Sequence, residues 1–200
     1  MAIKTVIFDL DGTITRPFLD FDLIRQEIGL SPDAGPILEL MDQMTPAQRA
    51  CAEDVLLRHE TRAVMESELN DGAETTIASL QKAGIHVGVL TRNTRINAEA
   101  VAGKHNLRFD AIVDRQDGPV KPDAFGVLEL CRRFGCAPFQ TLVVGDFLYD
   151  LLSAKAAEAI AVLLKNTQQA QNYVEYADYV ITSLDEVLDI VDNIGRNAKG

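Results

Sequence analysis

Three short runs of aliphatic and β-branched residues stop abruptly at polar side chains: residues 3–8 before Asp9, residues 85–90 before Thr91, and residues 141–144 before Gly145-Asp146. A near-continuous apolar run of this length is the pattern of a strand buried on both faces, with the polar residue standing at its carboxyl end. Ala111–Val113 and Ile160–Leu164 are weaker strand candidates, and Tyr179–Ile181 fits a short edge strand. Between them, apolar residues recur at helical spacing over Ala73–Lys82 and over residues 95–105, 123–134 and 148–157. Strands alternating with helices predict βαβ units, and so an α/β core with a Rossmann-like parallel sheet covered by helices on both faces.

The stretch from residue 14 to residue 70 breaks the alternation, because it has no strand-like run and several amphipathic helical ones. Helices are expected at residues 21–28 and 37–44. Thr45-Pro46 then offers an N-cap followed by proline at the first helical position, opening a long helix through about Leu69. A helical insertion at 14–70 therefore divides a catalytic core made of 1–13 and 71–200. Near the end of the chain, Ser183 and Glu186 have the spacing of a capping box before a helix with Val187, Leu188 and Val191 on one face.

Composition narrows the function classes. Two hundred residues, 47% hydrophobic and 24% charged, suit one well-filled core with a small accessory unit. No apolar run approaches the roughly 20 residues that span a bilayer, and two aspartates interrupt the opening stretch where a signal peptide would be apolar. A net charge of -11 argues against a duplex-binding surface, since affinity for DNA comes largely from basic residues neutralising phosphates. The expected setting is cytoplasmic, with neither a membrane nor a nucleic acid as partner. Cys51, Cys131 and Cys136 lack the paired spacing of a zinc site and read as reduced thiols.

The sharpest chemical signal is Asp9-Leu10-Asp11-Gly12-Thr13, two carboxylates one residue apart and then a turn. In an open parallel sheet ligands bind beyond the carboxyl ends of the strands, which is where both aspartates would emerge. Two such carboxylates repel unless a cation or a shared proton relieves them. Magnesium, which prefers oxygen donors and commonly keeps substrate phosphate in its shell, suits the pair better than zinc. An isolated Asp-x-Asp more often caps a turn. Behind an apolar strand and followed by Gly-Thr, the pattern is expected by chance on the order of once in a thousand chains of this length.

Three more positions fall where a nucleophilic aspartate would need help. Thr91 can bring a hydroxyl and the backbone N–H groups beside it to a phosphate oxygen, although a threonine ending a strand is often simply a cap. Asn93 or Thr94 would cap the next helix, whose N-terminus adds partial positive charge. Lys121, held before Pro122, is a solvated loop charge in isolation but tempers anionic repulsion beside an acidic site. Asp146 and Asp150 are four apart at a helix start, so they lie on one face toward the same ion.

Taken together, Asp9-x-Asp11-Gly12-Thr13, Thr91, Lys121-Pro122 and Gly145-Asp146-x-x-x-Asp150 resemble the four ordered motifs of the haloacid dehalogenase superfamily. The inserted helices resemble the small cap of its phosphoglycolate-phosphatase-like branch. The resemblance implies a magnesium-dependent phosphatase acting on a small phosphorylated metabolite, with a mobile helical lid. Asp9 would be the nucleophile and Asp11 the general acid and base. Asp9, Asp146, the Asp11 carbonyl and Asp150 would serve the metal, while Asp9, Gly12, Thr91, Arg92 and Lys121 would hold the phosphoryl group. Phe147 departs from the small polar residue common after Gly-Asp, and Glu158 interrupts an Ala-Gly pair often found before the next strand.

Four rival readings remain beside it. A dehalogenase of the superfamily would lack the second aspartate. A phosphomutase can share all four motifs. A phospho-acceptor receiver domain also combines aspartates, a threonine and a lysine, but its acceptor normally lies on a later strand. A binding protein without turnover is the plainest alternative. Arg16, Arg58, His59 and Arg62 could meet a substrate's anionic tail or could simply solvate their helices, and His86 and His105 read as structural.

Overall fold

The computed structural model describes residues 2–197. In chain order the elements are β1 (Thr5–Phe8), α1 (Phe21–Glu27), α2 (Ile37–Met41), α3 (Pro46–Glu66), α4 (Ala73–Lys82), β2 (His86–Leu90), α5 (Arg95–Lys104), β3 (Ala111–Val113), α6 (Phe125–Phe134), β4 (Thr141–Gly145), α7 (Leu148–Ala156), β5 (Ile160–Leu164), β6 (Tyr179–Ile181) and α8 (Glu186–Asn197). Short 3₁₀ helices at Pro138–Gln140 and Gln169–Tyr176 complete the chain. Among the described residues, no helix is long and apolar enough to cross a membrane.

All six strands are parallel, in the order β3-β2-β1-β4-β5-β6, with helices on both faces. Every residue of β1 and β4 is buried, as a strand covered on both sides must be. On one side, Ile7, Leu90, Val143 and Leu163 pack with Val127 and Leu130 of α6 and Leu151 and Ala154 of α7. Alternation turns Val6 and Phe8 to the opposite face, and both are fully buried.

This topology positions the site. The chain runs outward from β1 through β2 to β3, then crosses back to β4, so order reverses between β1 and β4. Ligand crevices of open α/β sheets form at that switch point. The register is level: Phe8 pairs with Val89 and with Val144. Asp9, Thr91 and Asp146 consequently leave adjacent strands at one edge.

The chain divides into two compact units, 1–17 with 68–200, and 18–67. The four residues after Thr13 join the sheet-bearing unit because the chain turns there: Thr15 N–H and its hydroxyl both bond to the Leu10 carbonyl (3.0 and 3.2 Å), and Thr15 bridges to Leu69. The helical unit has its own core of Ile24, Ile37, Met41, Ala52, Val55 and Leu56. Thr45 does cap α3, within a reciprocal box with Gln48.

Several expected boundaries move. Helix α3 ends at Glu66, not near Leu69, because the Ser67 hydroxyl bonds back to the Val64 carbonyl at 2.8 Å and Leu69 is taken by its bridge to Thr15. Helix α2 stops at Met41 rather than residue 44. Helix α6 begins at Phe125 because the Asp123 carboxylate accepts the Phe125 N–H (2.8 Å) before the helix starts. At α8 the Glu186 carboxylate accepts the N–H groups of Thr182 and Ser183 (2.7 and 3.0 Å), but the Ser183 hydroxyl donates to the Asp71 carbonyl (3.2 Å) and to Asp185, so only half of the box forms.

Candidate active site

Asp9 leaves β1 with its N–H bonded to the Val144 carbonyl (2.9 Å), which fixes the backbone while the carboxylate points past the sheet edge. Lys121 reaches into the same place and is only 3% exposed. Its ammonium donates to the Asp9 carboxylate, to Asp150 (2.6 Å) and to the Leu90 carbonyl (2.9 Å), so each of its three protons has an acceptor. Asp150 is equally buried, and its second oxygen accepts the Phe147 N–H at 3.1 Å.

Asp146 completes the cluster from the end of β4 and accepts the Thr13 hydroxyl at 3.1 Å. Two glycines make the approach possible. Gly12 has φ +97°, and a Cβ there would stand 2.5 Å from an Asp146 oxygen. A Cβ on Gly145 would stand 2.2 Å from the Asp150 Cβ. Any larger residue would push a carboxylate out of place.

Electrostatics in this cluster is unbalanced: three carboxylates face one ammonium. Burial, with the charges of Asp150 and Asp146 adding to it, holds the Asp9 carboxyl well above the usual carboxylate range despite Lys121. Burial and the Asp150 charge push Asp146 up to about 7. Burial would pull the Lys121 ammonium down, but Asp150 and Asp9 outweigh it and hold it above its ordinary value. A bound cation would offset that excess of negative charge. Oxygens of Asp9, Asp146 and Asp150 lie within 4.8 Å of one another, an all-oxygen donor set that fits a hard divalent metal ion.

Asp11 stands apart from that cluster. Its carboxylate accepts the Asn93 side-chain N–H at 2.9 Å, and burial raises its pKa against the pull of Asn93, Lys121 and Arg115. The Asn93 amide is itself oriented, because its oxygen accepts from the Thr94 N–H (2.7 Å) and the Asn97 side chain (2.8 Å). Thr94, not Asn93, caps α5. Thr91 is buried at the end of β2, and its hydroxyl oxygen accepts the Asn93 N–H at 3.0 Å. The Arg92 guanidinium bonds to the Lys121 carbonyl and lies 5.2 Å over the Tyr149 ring.

The structure thus brings Asp9, Asp146, Asp150 and Lys121 into one cluster, with Asp11 on Asn93 two residues along the first loop. Three asparagines behind this arrangement were not foreseen in the sequence as its supports. Besides Asn93, Asn70 donates to the carbonyls of Gly12, Thr13 and Thr15 (2.9, 2.8 and 3.1 Å), and Asn166 to Gly12 (2.7 Å), clamping the Asp9–Thr15 turn. Asn166 has a positional signal, since it lies just beyond β5 at the functional edge; Asn70 has none. The cationic residues weighed as tail contacts have local partners. Arg16 meets Asp71 (3.1 Å), Arg58 and His59 meet Glu27 (3.2 and 3.3 Å), and Arg62 lies over Phe18 at 5.7 Å. His86 stacks on Phe134.

Comparison with known proteins gives a consistent picture. The model of the haloacid dehalogenase-like hydrolases matches residues 3–158. A hydrolase from Saccharomyces cerevisiae is 29% identical over 98% of this chain and 94% of its own. The N-acetylmuramic acid 6-phosphate phosphatase of Pseudomonas aeruginosa is 25% identical over 96% of each. Among solved structures, a hydrolase from Pseudomonas syringae superposes with a TM-score of 0.75 at 21% identity, covering 96% of this chain and 99% of that one.

Proposed function

The chain belongs to the haloacid dehalogenase-like hydrolases, and on that premise we propose that it is a magnesium-dependent phosphatase of small phosphomonoesters that works through an aspartyl-phosphate on Asp9. The observation that carries this reading is the separation of the two first-loop carboxylates. Asp9 sits against the Lys121 ammonium within the acidic cluster, whereas Asp11 stands apart from it on the Asn93 amide. Burial raises both carboxyls, so the division rests on their partners: the ion-paired group suits a nucleophile and the group held by a neutral amide suits a proton carrier.

Asp9, Asp146 and Asp150, with the Asp11 carbonyl, would hold the magnesium ion, which when bound supplies positive charge against the cluster and the phosphoryl oxygens. Lys121, the Thr91 hydroxyl and the backbone N–H groups at Gly12 and Arg92 hold and orient the phosphoryl group. An Asp9 oxygen attacks phosphorus, and the bond from phosphorus to the alcohol oxygen breaks. Asp11 gives its proton to that departing oxygen. Water then attacks the phosphorus of the Asp9 phosphate, Asp11 takes the water proton, and inorganic phosphate leaves with Asp9 regenerated. Positioning and electrostatics supply most of the acceleration in such transfers.

The helical unit follows the first motif in the chain, where the family's small caps are inserted, and we read it as the cap. A relative that acts on a phosphorylated sugar acid supports a phosphorylated metabolite as substrate. The net charge of -11 supports no nucleic-acid partner, and three free cysteines support a reducing, cytoplasmic setting. The test is hydrolysis of a panel of phosphomonoesters with magnesium and with excess chelator. Turnover that chelation abolishes and added magnesium restores is the expected result; full activity in chelator overturns the metal's part.

A further inference from the structure

The loops that carry the motif residues also build something the proposed chemistry leaves unused. Phe147 directly follows Asp146, and its backbone N–H is pinned to Asp150. The residue is 37% exposed and follows Asp146 at the sheet edge where the site lies. Tyr149 and Tyr173 each make a T-shaped contact with its ring, with centroids 5.1 and 5.2 Å away. Arg92, directly after Thr91 and anchored on the Lys121 carbonyl, lies over the Tyr149 ring. Tyr173 also packs against the main core, and the Asp146 charge contributes to the upward shift of its hydroxyl.

The loop after β2, the junction of β4 with α7 and the 3₁₀ helix after β5 thereby contribute to one strip, Arg92–Tyr149–Phe147–Tyr173. Phe147 keeps about a third of its surface in solvent beside the acidic cluster. In a T-shaped pair the rim of one ring meets the face of the other, so the two contacts hold the Phe147 ring in place, and its exposed part is the surface left for a further aromatic group.

We infer that this strip is the leaving-group subsite, and that it selects phosphomonoesters whose alcohol carries a planar aromatic ring. The ring lies on Phe147 while the ester oxygen stays at Asp9 and Asp11. The inference rests on the phosphatase reading and narrows its substrate class. Stacking of a base on an aromatic side chain changes affinity by about 10- to 100-fold.

A nucleoside 5′-monophosphate and ribose 5-phosphate provide a matched pair, because both release a primary 5′-alcohol and only one carries a ring system. The readout is the ratio of their kcat/KM values in wild type and in Phe147→Ser, with Phe147→Leu as a second variant that keeps apolar bulk but removes the ring. A wild-type ratio of about tenfold or more, falling toward one in both variants, is the expected result. Equal values for the two esters, or a ratio unmoved by the variants, overturns the subsite. Calorimetric binding of the same pair to Asp9→Asn separates the two claims. Tighter nucleotide binding without wild-type turnover of either ester upholds the subsite and sinks the phosphatase reading, whereas equal binding removes the subsite.

Discussion

Replacing Lys121 with methionine removes the one ammonium that, among the described residues, bonds to the clustered carboxylates, while keeping a chain of similar length. In the intact protein that ammonium makes three hydrogen bonds, two of them to the carboxylates of Asp9 and Asp150. Breaking a buried pair by deleting one partner costs about 3–5 kcal/mol, because the remaining charge is left uncompensated. The loss must depend on pH, and its sign follows from the carboxyl groups. Asp9 and Asp146 already have folded-state pKa values raised above the ordinary 3.8, Asp146 to about 7. A raised acid pKa gives stability that is present at low pH and lost as pH climbs toward the folded value. Lys121 pulls both groups down, so its removal raises them further and steepens that decline. Urea unfolding of wild type and Lys121→Met in chelator, at pH 5 and pH 8, reads the difference directly. The deficit should be near its full size at pH 8 and much smaller at pH 5, where the carboxyls can take up protons. A deficit below about 1 kcal/mol at pH 8, or one that does not change with pH, refutes the reasoning.

Two other substitutions probe separate steps of the account. Asp11→Asn should slow esters of poor alkyl leaving groups by about 10²–10⁴-fold, and aryl esters far less, because an aryl oxide departs without a proton; equal losses on both ester types in single-turnover kinetics would place the acid elsewhere. Glu158 has φ +60° just past α7, a left-handed position that costs an ordinary residue about 1–2 kcal/mol, so Glu158→Gly should raise stability by about 0.5–1 kcal/mol after glycine's own entropy cost, measured by denaturant midpoint, with a net loss counting against strain there.

The legible parts of the fold were those fixed by local pattern. β1, β2 and β4 read clearly because a strand buried on both faces must be apolar throughout, and the polar residue ending each then had a known location. Element ends were less legible because they depend on single side-chain contacts: Ser67 on Val64 stops α3, and Asp123 on Phe125 delays α6. In the site, Asp9 and Asp146 could be singled out because they directly follow buried strands, Asp150 by its spacing from Asp146, and Lys121 by its place before Pro122 once an acidic site was expected. Asn70 could not, because an amide that clamps a turn from 55 residues away along the chain leaves no trace in local spacing, and Asn166 offers only its place just beyond β5. Asn93 and Thr94 are equally good cap candidates by position beside α5, and only the approach of Asp11 gives Asn93 its other use. The aromatic strip depends on how three segments meet, so Phe147 alone could show only as a departure from pattern.

The account stands or falls on a covalent bond at one residue. Acid quenching during steady turnover of a phosphomonoester with magnesium, followed by peptide mass spectrometry, should find a phosphoryl group on Asp9, labile to base and absent from Asp9→Asn, which should also be inactive. Phosphate trapped on any other residue, or turnover that survives in Asp9→Asn, contradicts it.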